Sequence, residues 1–316
     1  MSGKTGFVYS EDYMKYDFGP THPLRPIRLK LTYDLLRETK VLGDPSIETY
    51  QPRQATENEL LTVHTKEYIE EVKSFSKTGV GYLDSGDTPA FKGVFEATQF
   101  AVGSTLACVE RVAEGRLDHA FNPVGGLHHA TRDSSAGFCV FNDIGIAIEV
   151  LRQRYGIKSI LYVDIDVHHG DGVYYSYDSD PEVHIFDVHE DGRYIYPGTG
   201  FEGDQGVGPA RGTKINVPLP PMTGDEGIEE LLPRLELFAK LSSPEFIILQ
   251  AGADGLRGDP IGGLEYTPDA HRMVARRLHS VAHELCKGRL VGLGGGGYSK
   301  ENCAAAWGAV VRELLA

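Results

Sequence analysis

Leu161-Tyr162-Val163-Asp164-Ile165-Asp166-Val167-His168-His169-Gly170-Asp171-Gly172 opens as an apolar run and closes as a polar one. With Ser159 and Ile160 ahead of it, the segment reads as a buried strand. Side chains alternate along a strand, so Asp164, Asp166 and His168 share one face, while Leu161, Val163, Ile165 and Val167 share the other. Carboxylates gathered at the end of a buried strand repel one another and are costly to desolvate, so a positive partner belongs among them. An Asp-x-His pair offers one ion an oxygen and an imidazole nitrogen, a mixed set suited to zinc or a similar transition metal. A lone Asp-x-His is more simply a strand end opening into a solvated loop. Three carboxylates and two histidines between Asp164 and Asp171 favour the metal.

Working outward, further strands are expected at Gly6–Tyr9, His119–Asn122, Val183–Asp187, Lys214–Pro218, Glu245–Ala251 and Arg289–Gly294, with the central one at Ser159–Ile165. Helical patterns between them include Arg25–Thr39, Phe91–Glu114, Asn142–Tyr155, Gly227–Lys240, Thr267–Cys286 and Cys303–Leu315. This alternation predicts an α/β protein: an open, mostly parallel, multi-stranded sheet with helices on both faces. No repeat or linker interrupts it, so residues 1–316 are expected to form a single domain. In such sheets sites form beyond the carboxyl ends of the strands. Gly125–His129, Asp164–Asp171, Asp254 and Tyr298 all fall there.

Composition narrows the class. The 316 residues carry 31 Lys plus Arg against 45 Asp plus Glu, a formal charge of −14. That field disfavours a nucleic-acid backbone and mildly favours cationic partners. No apolar run reaches membrane-spanning length, and Met1–Thr5 carries no signal-peptide pattern. Cys108, Cys139, Cys286 and Cys303 are scattered without a CxxC pair, which reads as reduced thiols in a cytoplasmic protein. Oligomeric state is not encoded in any pattern here.

Three more stretches carry chemistry. Gly125-Gly126-Leu127-His128-His129 follows a strand and supplies two groups that titrate near neutrality. Gln250-Ala251-Gly252-Ala253-Asp254 ends a very apolar strand in one carboxylate, which in isolation reads equally as a helix N-cap. Leu293-Gly294-Gly295-Gly296-Gly297-Tyr298 lacks the Lys-Ser/Thr of a phosphate-binding loop, so a turn presenting Tyr298 to a pocket is the better reading.

Together these segments resemble the histone deacetylase family: its metal-dependent class I-like branch and the bacterial acetoin-utilization-type deacetylases. The resemblance runs from His22-Pro23-Leu24-Arg25-Pro26-Ile27-Arg28 to Tyr298. It includes Gly-Gly-Leu-His-His-Ala, Gly137-Phe138-Cys139, the central Asp-Ile-Asp-Val-His-His-Gly-Asp-Gly, and Pro197-Gly198-Thr199-Gly200 in the family's order. It implies the arginase/deacetylase fold, with zinc (or iron(II) in cells) held by Asp166, His168 and Asp254 and a fourth position left for water. It also implies a catalytic pair His128 and His129 ordered by Asp164 and Asp171, and Tyr298 as donor to the substrate carbonyl. Gly137, Phe138 and Tyr196 would line the lysine tunnel, Arg28 would lie beneath the site, and Asp87 would grip the peptide backbone at the rim. The plainer reading of Asp87 is a cap on the helix starting near Pro89.

Two departures stand out. Tyr196 replaces the usual phenylalanine, and Asp187 stands where many relatives have serine. The resemblance also implies structural potassium, one ion at Asp164, Asp166, His168, Asp187 and Val188, a second at Tyr177, Asp180 and Val183. The expected activity is zinc-dependent removal of acetyl groups from lysine side chains of a protein or peptide, without nucleic-acid or membrane binding. An acetylpolyamine amidohydrolase would use the same machinery, and a catalytically dead acetyl-lysine reader is a rival of another class. An arginase-type ureohydrolase needs a second metal, and Gly170 stands where its extra carboxylate would be.

Overall fold

The computed structural model describes residues 4–316; the first three residues of the expected 1–316 domain lie outside the described residues. Eight strands are described: β1 (Thr5–Val8), β2 (Ile47–Tyr50), β3 (His119–Asn122), β4 (Ile160–Asp164), β5 (Val183–Glu190), β6 (Lys214–Leu219), β7 (Phe246–Gln250) and β8 (Leu290–Leu293). They form one open sheet in the order β2-β1-β3-β8-β7-β4-β5-β6, every pair parallel. The helices are α1 (Ile27–Glu38), α2 (Glu57–Leu60), α3 (Lys66–Thr78), α4 (Val94–Ala113), α5 (Asp143–Tyr155), α6 (Asp171–Tyr177), α7 (Asp225–Ser242), α8 (Pro268–Leu285) and α9 (Lys300–Glu313).

Both faces of the sheet are covered, which is why its central strands are apolar at nearly every position. Leu161 and Val163 of β4 and Ile247 and Leu249 of β7 pack in one layer with α1, α7, α8 and α9. Ile160, Tyr162, Phe246 and Ile248 pack in the other with α3, α4, α5 and α6. The β4 ladder ends at Asp164, one residue before the expected end. Beyond it Ile165 donates to the Gln250 carbonyl at 3.1 Å. Ile165 and Val167 stay buried with Leu161 and Val163, so the alternation survives past the hydrogen-bonded strand.

The chain builds β1 and β3, leaves a gap, starts again at β4, and fills the gap late with β7 and β8. That reversal brings the carboxyl ends of β3, β8, β7, β4 and β5 side by side, the kind of switch point where open α/β sheets carry their sites. None of the described helices is long and apolar enough to cross a membrane. All four cysteines are buried and free.

Candidate active site

Each site loop leaves the end of one central strand. After β3, Asp143 accepts from the backbone N–H of Gly126 (3.1 Å) and Leu127 (2.7 Å) and from Thr105 Oγ1 (2.5 Å), which pins the loop carrying His128 and His129. Asn142 caps α5 through Gly145 N and also donates to the Ala130 carbonyl at 2.9 Å, so the same helix start holds the loop's far end.

The tandem histidines sit over the end of β4. His128 Nδ1 lies 2.8 Å from Asp164 Oδ2, and His129 Nδ1 lies 2.7 Å from Asp171 Oδ1. Their Nε2 atoms are 3.1 Å apart. Burial alone would lower His128, but Asp164 and Asp166 outweigh it and raise the imidazole to about 10. Burial and the neighbouring His128 push His129 down to about 4 despite Asp171. Adjacent rings of one residue type are thus driven apart in proton affinity. Tyr162, on the preceding inward position, donates to Asp164 at 2.5 Å and holds that carboxylate from behind.

Asp166, His168 and Asp254 come together beyond β4 and β7, with ligand atoms all within 4.8 Å of one another. His168 Nδ1 is 3.0 Å from Asp166 Oδ1 and 3.3 Å from Asp254 Oδ2, the latter outside hydrogen-bonding geometry. Asp254 Oδ2 is buried and has no hydrogen-bond partner among the described residues, while its Oδ1 accepts from Val167 N at 3.0 Å. No helix starts at Asp254, so its N-cap reading falls. Gly252 and Gly296 press against this group: a Cβ on either would come within 2.0 Å of an Asp166 or Asp254 oxygen. Burial disfavours charge on His168, yet Asp166 and Asp254 raise it to about 10, so this point strongly favours a positive charge. Two carboxylates and one imidazole, one oxygen orphaned and the cradle closed by glycines, fit a zinc-class ion. Gly170 shows why no second carboxylate stands at its position: a Cβ there would meet Asp164 Oδ2 at 2.6 Å.

A narrow cavity leads to this group, lined by Leu24, Arg28, His128, His129, Gly137, Phe138, Asp166, His168 and Tyr298 among others. Phe138 packs edge-on to Tyr298 (5.8 Å between centroids), and Tyr196 packs edge-on to His129 (5.1 Å). Phe138 adopts a left-handed φ of 67°, unusual for a side-chain-bearing residue. Its N–H donates to Thr88 Oγ1 at 3.1 Å and its carbonyl accepts from Tyr16 at 2.9 Å. Gly137 beside it leaves no room for a Cβ, which would lie 2.3 Å from His129. Arg28 is buried, donates to the Gly297 carbonyl at 2.9 Å and lies over Trp307. Burial and Asp254 hold the Tyr298 phenol well above its ordinary value, so it stays protonated.

The rim differs from the capping expectation for Asp87. α4 begins at Val94 with Gly93 as its N-cap, so Asp87 caps no helix. Asp84 organises the turn instead, accepting from the N–H of Gly86, Asp87 and Thr88. Asp87 is left beside it, raised to about 6 by burial and by the Asp84 carboxylate.

The cation expectations also change. Asp187 adds a carboxylate, but His189 Nδ1 sits 2.6 Å from it and its imidazole is raised by that contact against the cost of burial, so the added charge is balanced within the chain. Val188 is buried in the strand between them. The carbonyls of Asp180 and Val183, expected to hold a second potassium with Tyr177, instead accept from the buried ammonium of Lys214 at 2.9 and 2.5 Å. The Tyr177 carbonyl accepts from Asp180 N. A side-chain ammonium occupies that place, because Lys214 lies at the start of β6 against the β5 entry.

Sequence reasoning missed Asp143, Gln250, Asp259 and His189. Gln250 Nε2 donates to Asp166 Oδ2 at 2.8 Å, and Asp259 Oδ2 accepts from the N–H of Tyr298 at 2.7 Å. The one available signal was Gln250, a polar residue ending an apolar strand.

A histone deacetylase domain model matches residues 22–314. The chain is similar to the acetoin utilization protein AcuC of Bacillus subtilis, 39% identical, over 92% of this chain and 77% of that protein. It is 36% identical to a probable deacetylase of Archaeoglobus fulgidus, over 94% and 82% respectively. It is 32% identical to histone deacetylase clr6 of Schizosaccharomyces pombe, over 96% and 75%. Among solved structures, the HDA15 HD domain superposes with a TM-score of 0.90 at 29% identity, covering all of this chain and 89% of that one.

Proposed function

The chain belongs to the histone deacetylase family, and from that premise we propose that this deacetylase hydrolyses acetyl-lysine amides in proteins, with zinc held by Asp166, His168 and Asp254. The observation that carries the reading is the buried, unpartnered Asp254 Oδ2 facing His168 and Asp166. Zinc there supplies Lewis acidity toward an amide carbonyl and toward water. His129, its Nδ1 held by Asp171, accepts a proton from the attacking water through Nε2 and returns one to the departing lysine amine. His128, clamped by Asp164 and held protonated, stands across the 3.1 Å contact. Tyr298 donates its hydroxyl hydrogen to the carbonyl oxygen as charge grows there. Phe138, which lines the cavity, and Tyr196, exposed and packed on His129 outside the lining, would flank the lysine stem, and the buried Arg28 of the lining would face the departing acetate. Potassium against Asp164, Asp166, His168, Asp187 and Val188 would be a structural ion behind this strand end. One sheet bearing every site loop supports a single domain, and four free buried thiols support a reducing, cytoplasmic setting.

The substrate class turns on Asp87. Freed from capping, its carboxylate can accept the backbone N–H groups flanking an acetyl-lysine, and such charge-assisted bonds are the stronger kind. An acetylated polyamine has no such amides and would gain only attraction to the acidic rim. Turnover of an acetyl-lysine peptide should vanish with chelator and return with zinc. Asp87→Ala should lose about tenfold or more in kcat/KM on the peptide, and far less on a short acetylated amine. Equal losses on the two, or a wild-type preference for the acetylpolyamine, would sink the peptide reading and promote the polyamine one.

A further inference from the structure

At the opposite end of the sheet from the carboxylate site, three histidines converge. His119 starts β3, and His279 and His283 lie one turn apart on α8, so both project from the same face of that helix. One ring nitrogen from each lies within 4.8 Å of the others. His119 Nε2 and His283 Nε2 are 3.1 Å apart. The His279 ring centre is 4.6 Å from that of His119 and 4.7 Å from that of His283.

The state of each ring suits a ligand. His119 is buried, and its Nδ1 has no hydrogen-bond partner among the described residues, so the contact of its ring nitrogens is toward the cluster. His279 Nδ1 lies 2.5 Å from the carbonyl of Glu313, the last residue of α9. Donation to that carbonyl leaves Nε2 with its lone pair, the outer-shell contact that fixes the tautomer of metal-ligating imidazoles. The carboxyl end of α9 also carries the negative end of a helix dipole, which favours a cation.

We propose that His119, His279 and His283 form a second metal site, taking a late transition ion such as zinc, nickel or copper through three imidazole nitrogens. Imidazole donors suit these ions, whereas calcium and magnesium require oxygen. The ion would tie α8 to the amino end of β3, joining residues 164 positions apart. It stands apart from hydrolysis, which belongs to the other end of the strands.

The test uses full-length protein without a histidine tag, stripped with chelator and titrated with zinc chloride, the bound metal counted by elemental analysis and calorimetry. Wild type should take up two equivalents at micromolar free zinc. His279→Ala/His283→Ala should take up one and retain deacetylase turnover, while Asp254→Ala should also take up one and lose turnover. His283 is solvent-exposed, so His283→Ala alone gives the same count should the double variant melt lower before loading. Wild type should also gain melting temperature from the second equivalent, and the double variant should not. Saturation of wild type at one equivalent with zinc, nickel and copper alike would overturn the proposal, as would two equivalents retained by the histidine variants.

Discussion

Two clusters of charge in this chain, one buried and one reaching the surface, are built on opposite plans. Beside α2, Glu59 and Glu110 face Arg53 and Arg154. Arg53 grips Glu59 with two nitrogens at 2.7 and 2.8 Å and reaches Glu110 at 2.7 Å, while Arg154 reaches Glu59 at 2.7 Å and Glu110 at 3.1 Å. Two anions meet two cations, and the spare Glu59 capacity accepts Thr56 N–H in a capping box. At the carboxyl ends of β4 and β7 and beside them, Asp164, Asp166, Asp171, Asp187 and Asp254 share their space with histidines, and one Asp254 oxygen has no hydrogen bond among the described residues, only His168 Nδ1 at 3.3 Å. A cluster that closes on itself holds elements together. One left with an orphaned oxygen is costly to the fold and is best explained by a ligand.

The largest expected effect comes from Asp254→Asn, which keeps an oxygen for Val167 N–H and removes the charge. Metal uptake at this site and turnover should both fall below detection. The melting temperature of the stripped protein should stay level or rise, because repulsion from Asp166 is relieved. Full metal occupancy in this variant, or a marked loss of stability in the stripped state, would erase the contrast between the two clusters.

Tyr298→Phe sharpens the same contrast from within the site. The hydroxyl acts where the carbonyl oxygen gains charge, so kcat should drop by about a hundredfold or more with KM and melting temperature nearly unchanged. A variant turning over near the wild-type rate would reduce Tyr298 to a wall of the cavity.

The two regions were unequally legible in the sequence. β4 and β7 could be read because strands buried on both faces are continuously apolar, and Asp164, Asp166 and His168 stood out by their alternation at such a strand's end. Asp254 alone read equally as a cap and was joined to them only through the family resemblance. β2, an edge strand with two exposed residues, carries too little apolar pattern to announce itself, whereas α3 was legible and missed: Tyr68, Ile69, Val72 and Phe75 share one helical face between a Thr65 cap and Gly79. The supports of the site were hidden for another reason. Gln250 reaches Asp166 from 84 positions away and Gly296 from 130, and no local spacing encodes a contact made by sheet order. Lys214 shows the same limit: nothing beside it in sequence marks the carbonyls that it fills.

The smallest effect is expected at the closed cluster, and it should run in the opposite sense. Burial would raise the Glu59 carboxyl, but Arg53 and the Thr56 N–H outweigh it and hold the group down at about 2. A carboxyl lowered on folding contributes stability that is complete above its unfolded value of 4.5 and is lost as pH falls through about 2. Glu59→Gln removes that contribution while keeping size and an acceptor. The Arg53 side chain is 34% exposed, so solvent screens part of the attraction, and the cost should be about 1–2 kcal/mol at neutral pH. The difference between wild type and variant should shrink as pH drops from about 4.5 toward 2, and kcat should not move, since none of these four side chains lines the cavity. Chemical denaturation at pH 7 and pH 3, beside peptide turnover, measures both. A Glu59→Gln enzyme as stable as wild type at pH 7 but slow would mean that this cluster serves the reaction, and that closure of charge does not separate scaffold from site.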